Sequence, residues 1–90
     1  MSCEIETTAR FRKSIPAGHH ESVVATLSRM RDGFGQSHVH SGLGIRKLRK
    51  NLFECRTGLD LRLIFEARKG MLTFDFSGNH DQVQAYLRNR

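Results

Sequence analysis

In the second half of this 90-residue chain, apolar side chains recur at every second position. In the segment 52–56, Phe53 and Cys55 point to one face, whereas the charged residues that alternate with them point to the other. The segments 61–65 and 72–76 repeat this alternation. A period of two is typical of half-buried strands and differs from the 3.6-residue period of a helix. The pattern therefore predicts three strands of one sheet.

Short polar segments join the three predicted strands. Residues 57–60 have the composition of a hairpin connection, and Lys69-Gly70 predicts a second turn. The strands then form an antiparallel meander with one buried face. That face is predicted to carry Phe53, Leu63, Phe65, Phe74 and Phe76. The opposite, accessible face is predicted to carry Arg56 and Arg62.

Helical spacing replaces this alternation at both ends of the chain. A helix over roughly 20–32 is predicted by the spacing of Val23, Val24, Leu27 and Met30. This spacing leaves Arg29 mostly on the solvent side of the helix. An apolar stripe of Phe11 and Ile15 precedes it, and residues 4–8 are compatible with a short strand. The segment 77–79 ends the sheet and can cap a last helix that carries Val83, Tyr86 and Leu87.

The remaining segments complete a single domain over residues 1–90. The glycine-rich segment 33–44 predicts a loop, and the run 45–50 predicts either a turn of helix or the start of a strand. The fold class is therefore α+β, with N-terminal helices, an antiparallel sheet of three to four strands and a C-terminal helix.

The chain lacks the features of a membrane or secreted protein. No apolar run is long enough to cross a bilayer, and the N-terminus is polar and of mixed charge. Cys3 and Cys55 are too few for a disulfide framework and have no CxxC spacing. We therefore expect a cytoplasmic protein with reduced cysteines and no membrane partner.

Positive charge is concentrated in one stretch of the chain. Fifteen Lys and Arg against nine Asp and Glu give a net charge of +6. The segment 43–69 holds eight Lys and Arg and three carboxylates, and so accounts for +5 of this charge. A concentrated basic field attracts polyanions, although a basic surface can also serve solubility alone. The charge predicts contact with nucleic acid or ribosomes that weakens by roughly three orders of magnitude or more from low to moderate salt.

Arg56 and Arg62 are the first candidates for chemistry. Two guanidinium groups on one sheet face suit a phosphodiester, because each can donate paired hydrogen bonds to phosphate oxygens. A solvated face that happens to be basic is the alternative. A candidate RNA-binding edge, which would contact backbone phosphates without reading sequence, consists of Arg46, Lys47, Arg49 and Lys50.

His80 directly follows the last predicted strand. A histidine there can exchange protons near neutral pH, although a helix-start residue held by Asp81 is the alternative. Tyr86 can stack on a base or donate a proton, but tyrosine is more often a half-buried core residue. No cysteine or carboxylate stands at ligand spacing beside the other histidines, so no metal site is predicted. Those histidines are His19, His20, His38 and His40.

A basic segment, a strand ending in Glu54-Cys55-Arg56, a short turn and the strand Leu61-Arg62-Leu63-Ile64-Phe65 follow one another in this chain. This order resembles the RelE/ParE toxins of bacterial type II toxin–antitoxin systems. Gly78 and the His80-Asp81 start of a terminal helix also fit. The resemblance covers roughly residues 43–90, and the N-terminal helices agree in order only.

The resemblance implies an mRNA endonuclease that cuts in the ribosomal A site and uses no metal or other cofactor. It implies a product with a cyclic or 3′ phosphate, formed by attack of the RNA's own 2′-hydroxyl. The family's catalytic positions are matched by Arg62, Arg56, His80 and Tyr86. The implied partners are a cognate antitoxin protein, the ribosome and mRNA.

Two residues depart from the family's pattern. Leu52 and Glu54 occupy the strand before the turn, where strong RNases of this family often have basic residues. Glu54 could act as a base, but it also cancels positive charge beside a bound phosphate. Two alternatives therefore stay open: a non-nucleolytic toxin of the same fold that binds DNA gyrase or another target, and a basic RNA-binding module without toxicity.

Overall fold

The computed structural model describes residues 3–36, 42–58 and 60–90. Its strands and helices are, in chain order, β1 (Glu4–Thr7), α1 (Ala9–Ser14), α2 (His20–Gly33), β2 (Arg46–Arg49), β3 (Leu52–Thr57), β4 (Leu61–Arg68), β5 (Met71–Gly78) and α3 (His80–Arg88). The predicted α+β class, the long N-terminal helix, the three-strand meander and the terminal helix are confirmed. Part of the predicted loop, with His38 and His40, lies outside the described residues.

The strands form one mixed sheet with the order β1-β5-β4-β3-β2. The pairs β2–β3, β3–β4 and β4–β5 are antiparallel, whereas β1 lies parallel to β5. The prediction of an antiparallel sheet of three to four strands is therefore wrong in strand number and in the direction of one pair. β1 and β2 are edge strands of four residues each. Such short edges lack the long apolar alternation that reveals a central strand.

Helices cover both faces of the sheet. The face toward α1 and α2 carries the larger apolar core, which includes Phe11, Val23, Met30, Leu63, Phe65 and Phe74. The opposite face is covered by α3, whose Val83 is buried with Leu52 and Ile64. The candidate chemistry lies on this second face, so the docking of α3 decides which of its polar residues reach solvent.

Four of the five side chains predicted to share a buried face do so, and Phe76 does not. The pairing of β4 with β5 shifts by one residue after Ile64, which leaves Asp75 as the extra residue of a bulge. The bulge turns Phe76 to the α3 face. There it stacks on Tyr86, with ring centroids 4.8 Å apart.

A tight turn and a helix cap fix the ends of β5. Lys69 and Gly70 have φ angles of 46° and 82°, as the hairpin turn between β4 and β5 requires. The Asn79 side chain accepts a hydrogen bond from the Gln82 backbone at 2.8 Å, and the Gln82 side chain accepts one from the Asn79 backbone at 2.8 Å. This capping box makes His80 the first residue of α3.

Candidate nucleic-acid site

Arg56 and Arg62 are Cα partners across the β3–β4 hairpin. Cross-strand partners share a face of the sheet, and theirs is the face opposite the Phe65 core, as the alternation predicts. The two residues differ in access. Arg56 is exposed, whereas only 17% of the Arg62 side chain is exposed. Arg56 therefore reaches solvent freely, whereas the Arg62 side chain is mostly buried.

A buried carboxylate lies beside Arg62. Glu54 is 2% exposed, and its Oε2 is 3.7 Å from Arg62 Nε and 3.5 Å from Arg46 Nη2. Arg62 Nε is buried without a hydrogen-bond partner among the described residues, so its contact with Glu54 is an ion pair only. The sequence pattern placed Glu54 on an accessible face. The signal for its burial was the apolar pair Leu52 and Ile64 on the same face, which α3 covers.

His80 lies in a shallow pocket beside Arg62. The β4–β5 register places Gly78 opposite Arg62, and the helix cap puts His80 two residues later. The pocket, named here the Arg62–His80 pocket, has a volume of about 430 Å³ and is lined by Asp60, Arg62, Asn79, His80 and Asp81. An imidazole there can take or return a proton while the arginine holds an anion. Because Asp60 and Asp81 outnumber Arg62 in the lining, the pocket has no net positive charge of its own.

Tyr86 lies in a separate cluster on the same face. Its hydroxyl donates a hydrogen bond to Asp75 Oδ2 at 2.5 Å. The guanidinium carbons of Arg10 and Arg90 lie 6.0 Å and 5.9 Å from the centre of its ring. Burial and the hydrogen bond to the Asp75 carboxylate raise the pKa of Tyr86. None of these contacts involves the Arg62–His80 pocket, so the structure does not bring Tyr86 to His80.

Asp75 is the centre of the Tyr86 cluster. Burial raises the pKa of Asp75, but hydrogen bonds from Tyr86 and Thr8 and the positive charges of Arg10 and Arg90 outweigh it, so the pKa is lowered. Arg90 also donates to the Tyr86 hydroxyl at 3.0 Å, and Arg10 Nη1 is 3.4 Å from Asp75 Oδ2. The cluster therefore ties α1 and the end of α3 to β5.

The basic run around β2 lies on an exposed edge of the sheet. The exposed residues are Arg46, Lys47, Arg49 and Lys50. Two of them have internal partners, because Arg46 pairs with Glu54 and Arg49 donates to the Leu87 carbonyl of α3 at 2.7 Å. The side chains of Lys47 and Lys50 make no ion pair or hydrogen bond with another described residue. Both lysines are therefore available to an external anion.

Arg56 lines a second pocket, which sequence reasoning missed. This Arg29–Arg56 pocket has a volume of about 490 Å³, and α2 contributes Ser22, Thr26 and Arg29 to its wall. Helical spacing put Arg29 on the solvent side of α2 and gave no sign of a strand residue nearby. Local periodicity carries no signal for a contact between Arg29 on a helix and Arg56 on a strand, which lie 27 positions apart in the sequence.

Cys55 is a buried thiol rather than a reactive one. Burial, with a contribution from the Glu54 carboxylate, raises the pKa of Cys55 to about 12. The thiol is therefore protonated at neutral pH and inert as a nucleophile. Within the described ranges, no three His, Cys, Asp or Glu side chains group as a metal ion would require. No helix of this part of the chain is long and apolar enough to cross a bilayer.

Comparison with known proteins finds matches by structure but none by family model or curated sequence. Neither the protein-family models nor the curated protein sequences contain a match to this chain. Solved structures do match. YafQ from E. coli strain BL21(DE3) is 13% identical, with 90% of this chain and 97% of YafQ covered at a TM-score of 0.72. The E. coli DinJ–YafQ complex gives 15% identity, coverage of 90% and 97%, and a TM-score of 0.73. The archaeal RelE–RelB complex from Pyrococcus horikoshii OT3 is 14% identical, with 88% of this chain and 96% of that chain covered at a TM-score of 0.69. This chain has the RelE-like toxin fold.

Within this RelE-like fold, the four candidate catalytic residues divide into two groups. Arg62 and His80 line one pocket, and Arg56 is the cross-strand partner of Arg62. Tyr86 belongs to the Asp75 cluster instead. The arrangement brings the Arg62 guanidinium and the His80 imidazole into one pocket, places the Arg56 side chain in the Arg29–Arg56 pocket, and leaves the tyrosine in an anchoring contact.

Proposed function

We propose that this protein is the toxin of a type II toxin–antitoxin system and acts as a ribosome-dependent mRNA endonuclease that inhibits translation. The observation that carries the proposal is the pairing of Arg56 with Arg62 on one face of a RelE-like sheet, with His80 in the pocket of Arg62. This combination provides two phosphate-binding groups and one proton carrier. The proposal includes a single toxin domain over residues 1–90 and a cytoplasmic location.

The proposed reaction uses the RNA's own 2′-hydroxyl as nucleophile and no cofactor. The 2′-oxygen attacks the neighbouring phosphorus, and the bond from phosphorus to the 5′-oxygen of the next nucleotide breaks. Arg62 stabilises the charge that develops on the phosphate, and Arg56 orients it. His80 takes the proton of the 2′-hydroxyl or gives one to the leaving 5′-oxygen. The product carries a cyclic phosphate, which can open to a 3′ phosphate.

In this proposal, Tyr86 positions α3, the helix that begins with His80. Its hydroxyl is engaged by Asp75, and its ring holds α3 against Phe76. Because His80 is the first residue of α3, an anchor at the other end of this helix fixes where the imidazole lies. The alternative of direct stacking or proton donation by Tyr86 is tested separately below.

The proposed partners are an antitoxin protein, the ribosome and mRNA. YafQ and RelE of the same fold have been crystallised in complexes with DinJ and RelB. A chain of net charge +6 favours an acidic partner. A small neighbouring reading frame that encodes an acidic, partly disordered protein is therefore the expected source. Its product should restore growth when co-expressed and should co-elute with the toxin.

The test of the proposed function is induced expression with growth curves and transcript-end mapping on translating ribosomes. The parent should arrest growth and create new transcript ends. Arg62→Ala should lower cleavage by ~10²–10³, the usual effect of losing an oriented charge at a transition state. Arg68→Ala is the matched control, because Arg68 lies on the same strand with a 63% exposed side chain and pairs only with Glu66. It should cleave like the parent.

A non-nucleolytic toxin that binds DNA gyrase or another target is the second candidate. The observation that favours it is the acidic surroundings of Arg62, namely Glu54, Asp60 and Asp81. In that case growth arrest persists in Arg62→Ala, and no new transcript ends appear with the parent. A parent that neither arrests growth nor cuts transcripts would instead leave a basic RNA-binding module.

A further inference from the structure

We infer that Arg29 and Arg56 form a second phosphate-binding site, which holds an RNA backbone phosphate next to the one at Arg62. The inference rests on RNA as the target in the proposed function and extends it to a residue of α2. It assigns to Arg29 a role in RNA binding that neither helical spacing nor the family resemblance implies.

The first observation is that these two arginines have no ion-pair or hydrogen-bond partner among the described residues. Most arginines of the described chain are engaged in ion pairs or hydrogen bonds: Arg10, Arg12, Arg31, Arg46, Arg49, Arg62, Arg68 and Arg90. The side chains of Arg29 and Arg56 make neither contact with another described residue. They nevertheless line one and the same pocket. Two unpaired cations in one concave site repel each other unless an anion joins them.

The second observation is the charge of the pocket wall. Among the described residues, the lining of the Arg29–Arg56 pocket has no Asp or Glu, and it includes Ser22 and Thr57, whose hydroxyls donate to the backbone carbonyls of His19 and Ser22. The Arg62–His80 pocket, in contrast, contains Asp60 and Asp81. A phosphate is therefore attracted more strongly to the Arg29–Arg56 pocket than to its neighbour.

The third observation is the glycine wall beside both arginines. A Cβ atom at Gly44 would lie 3.4 Å from Arg56 Cδ, and one at Gly42 would lie 3.5 Å from Arg29 Nη2. Gly44 also has a φ of +64°, which favours glycine. Both arginine side chains thus lie against bare backbone. A side chain at either glycine would come into contact with the arginine beside it.

The neighbourhood of Arg62 identifies the ligand as a nucleic-acid backbone. Cross-strand partners lie only about 5 Å apart, so Arg56 and Arg62 are close enough to serve successive groups of one chain. Arg62 lies on the α3 face of the sheet and Arg29 on α2 at the other face, so an RNA strand with one phosphate at Arg62 reaches Arg29 by crossing the sheet edge at Arg56. Arginine suits this role because its fork donates paired hydrogen bonds to phosphate.

The test measures RNA binding without cleavage. The probe is a labelled single-stranded RNA with 2′-O-methyl groups, which lacks the nucleophile, and the readout is fluorescence anisotropy over a salt series. Each phosphate contact contributes about 0.7 to the slope of log K against log salt for a single strand. Arg29→Ala and Arg56→Ala should each lower this slope by about 0.7 and weaken binding several-fold at low salt. Arg29→Lys should keep the slope.

The matched control is Arg31→Ala. Arg31 lies on the same helix, its side chain is 55% exposed, and it pairs with Asp32 outside the pocket. Arg31→Ala should bind RNA with the slope of the parent, and thermal melting should show all variants folded. The inference is overturned if Arg29→Ala keeps the slope of the parent, or if Arg31→Ala loses as much as Arg29→Ala.

Three further outcomes separate this inference from the alternatives of an acidic protein partner and of the endonuclease proposal. If Arg29→Ala loses binding to polyglutamate but binds RNA like the parent, the pocket serves an acidic protein and the inference is wrong. If the parent binds RNA through both arginines but cuts no transcript, the endonuclease proposal fails and the phosphate site stands. If cleavage is intact while the slope of Arg29→Ala is unchanged, only the phosphate site fails.

Discussion

At the scale of single residues, the Glu54 carboxylate affects folding stability and phosphate binding in opposite directions. It lies between Arg46 and Arg62 with 2% of its side chain exposed. A carboxylate is buried at acceptable free energy only when it is paired, and the two arginines supply that pairing. The same contact reduces the positive charge that Arg62 presents to a phosphate. Folding stability and RNA affinity therefore depend on Glu54 with opposite signs.

Glu54→Gln should make the protein less stable and its RNA binding tighter. A fully buried pair loses ~3–5 kcal/mol when one partner is removed. Here the Arg46 side chain is 62% exposed, so we expect a loss of about 2 kcal/mol in the free energy of unfolding. Removal of one negative charge near the phosphate should tighten RNA binding about threefold to tenfold. Urea unfolding and anisotropy with the 2′-O-methyl RNA measure the two effects.

Glu66→Gln is the matched control for this change. Glu66 lies on β4, on the sheet face that also carries Glu54. It pairs with Arg68 and Arg90, and its side chain is 32% exposed. The Glu66→Gln substitution should leave RNA binding unchanged. If Glu54→Gln binds RNA like the parent and loses cleavage by ~10² or more while folded, Glu54 acts as a general base and our account of it is wrong.

At this scale, sequence patterns predict which residues share a strand face but not the contacts that depend on how α2 and α3 pack on the sheet. The shared face of Arg56 and Arg62 could be predicted, because alternation depends on strand geometry alone. The burial of Glu54 was missed, because the apolar pair Leu52 and Ile64 indicates a covered face but not where α3 lies across it. The meeting of Arg29 with Arg56 depends in the same way on the docking of α2.

At the scale of elements, α3 is held at both ends. Its first turn is fixed by the capping box of Asn79 and Gln82. Near its C-terminus, Tyr86 donates to Asp75, and the Leu87 carbonyl accepts a hydrogen bond from Arg49. The helix is therefore a rigid support for His80 at its N-terminus.

Tyr86→Phe should destabilise the protein and leave cleavage within about tenfold of the parent. It removes a hydrogen bond to a carboxylate, which is worth about 1–2 kcal/mol where the acceptor is partly exposed. The ring and its stacking on Phe76 remain. Thermal unfolding and the transcript-end assay below the melting temperature measure the two effects. A folded Tyr86→Phe protein with ~10²–10⁴ less cleavage would mean that the hydroxyl takes part in proton transfer.

The contacts of Asp75 in the Tyr86 cluster make the folding stability depend on pH. The pKa of Asp75 lies below its ordinary value of 3.8 in the folded protein, so its ionised form favours folding. This stability is present at pH values above the ordinary pKa and is lost as the pH falls through the lowered folded pKa. Unfolding measured below about pH 4 should therefore show a steeper loss of stability in the parent than in Asp75→Asn.

The elements that sequence could predict are those with a long local pattern. α2 and β3 were predicted near their observed bounds, β4 was predicted to end three residues early, and α3 was predicted without bounds from its apolar residues. The pairing of β1 with β5 joins the two ends of the chain and leaves no local trace. The bulge at Asp75 also escapes a pattern of strict alternation, and so Phe76 was placed on the wrong face.

At the scale of the whole molecule, internal pairing decides how much of the charge reaches an external partner. The segment 43–69 accounts for +5 of the net +6. Several of its basic residues, however, have partners within the fold, among them Arg46, Arg49 and Arg62. The described basic residues of the segment without such a partner are Lys47, Lys50, Arg56 and Lys69, and α2 adds Arg29 in the Arg29–Arg56 pocket. The composition of the segment therefore overstates its capacity for phosphate contacts.

The salt dependence of RNA binding should reflect this smaller number. Contact through Arg29, Lys47, Lys50 and Arg56, four of the described cations that have no internal partner, predicts a slope of about −3 for log K against log salt on single-stranded RNA. Between 50 and 200 mM salt, affinity should then fall about 50-fold. Contact through all eight basic residues of 43–69 would give a slope of about −5.6 and a loss of roughly three orders of magnitude. Anisotropy of the 2′-O-methyl RNA over this range separates the two values. A slope near −5.6 would mean that the internal ion pairs open on binding, with Arg62 released from Glu54, whereas a flat response would remove this face from consideration as the RNA contact.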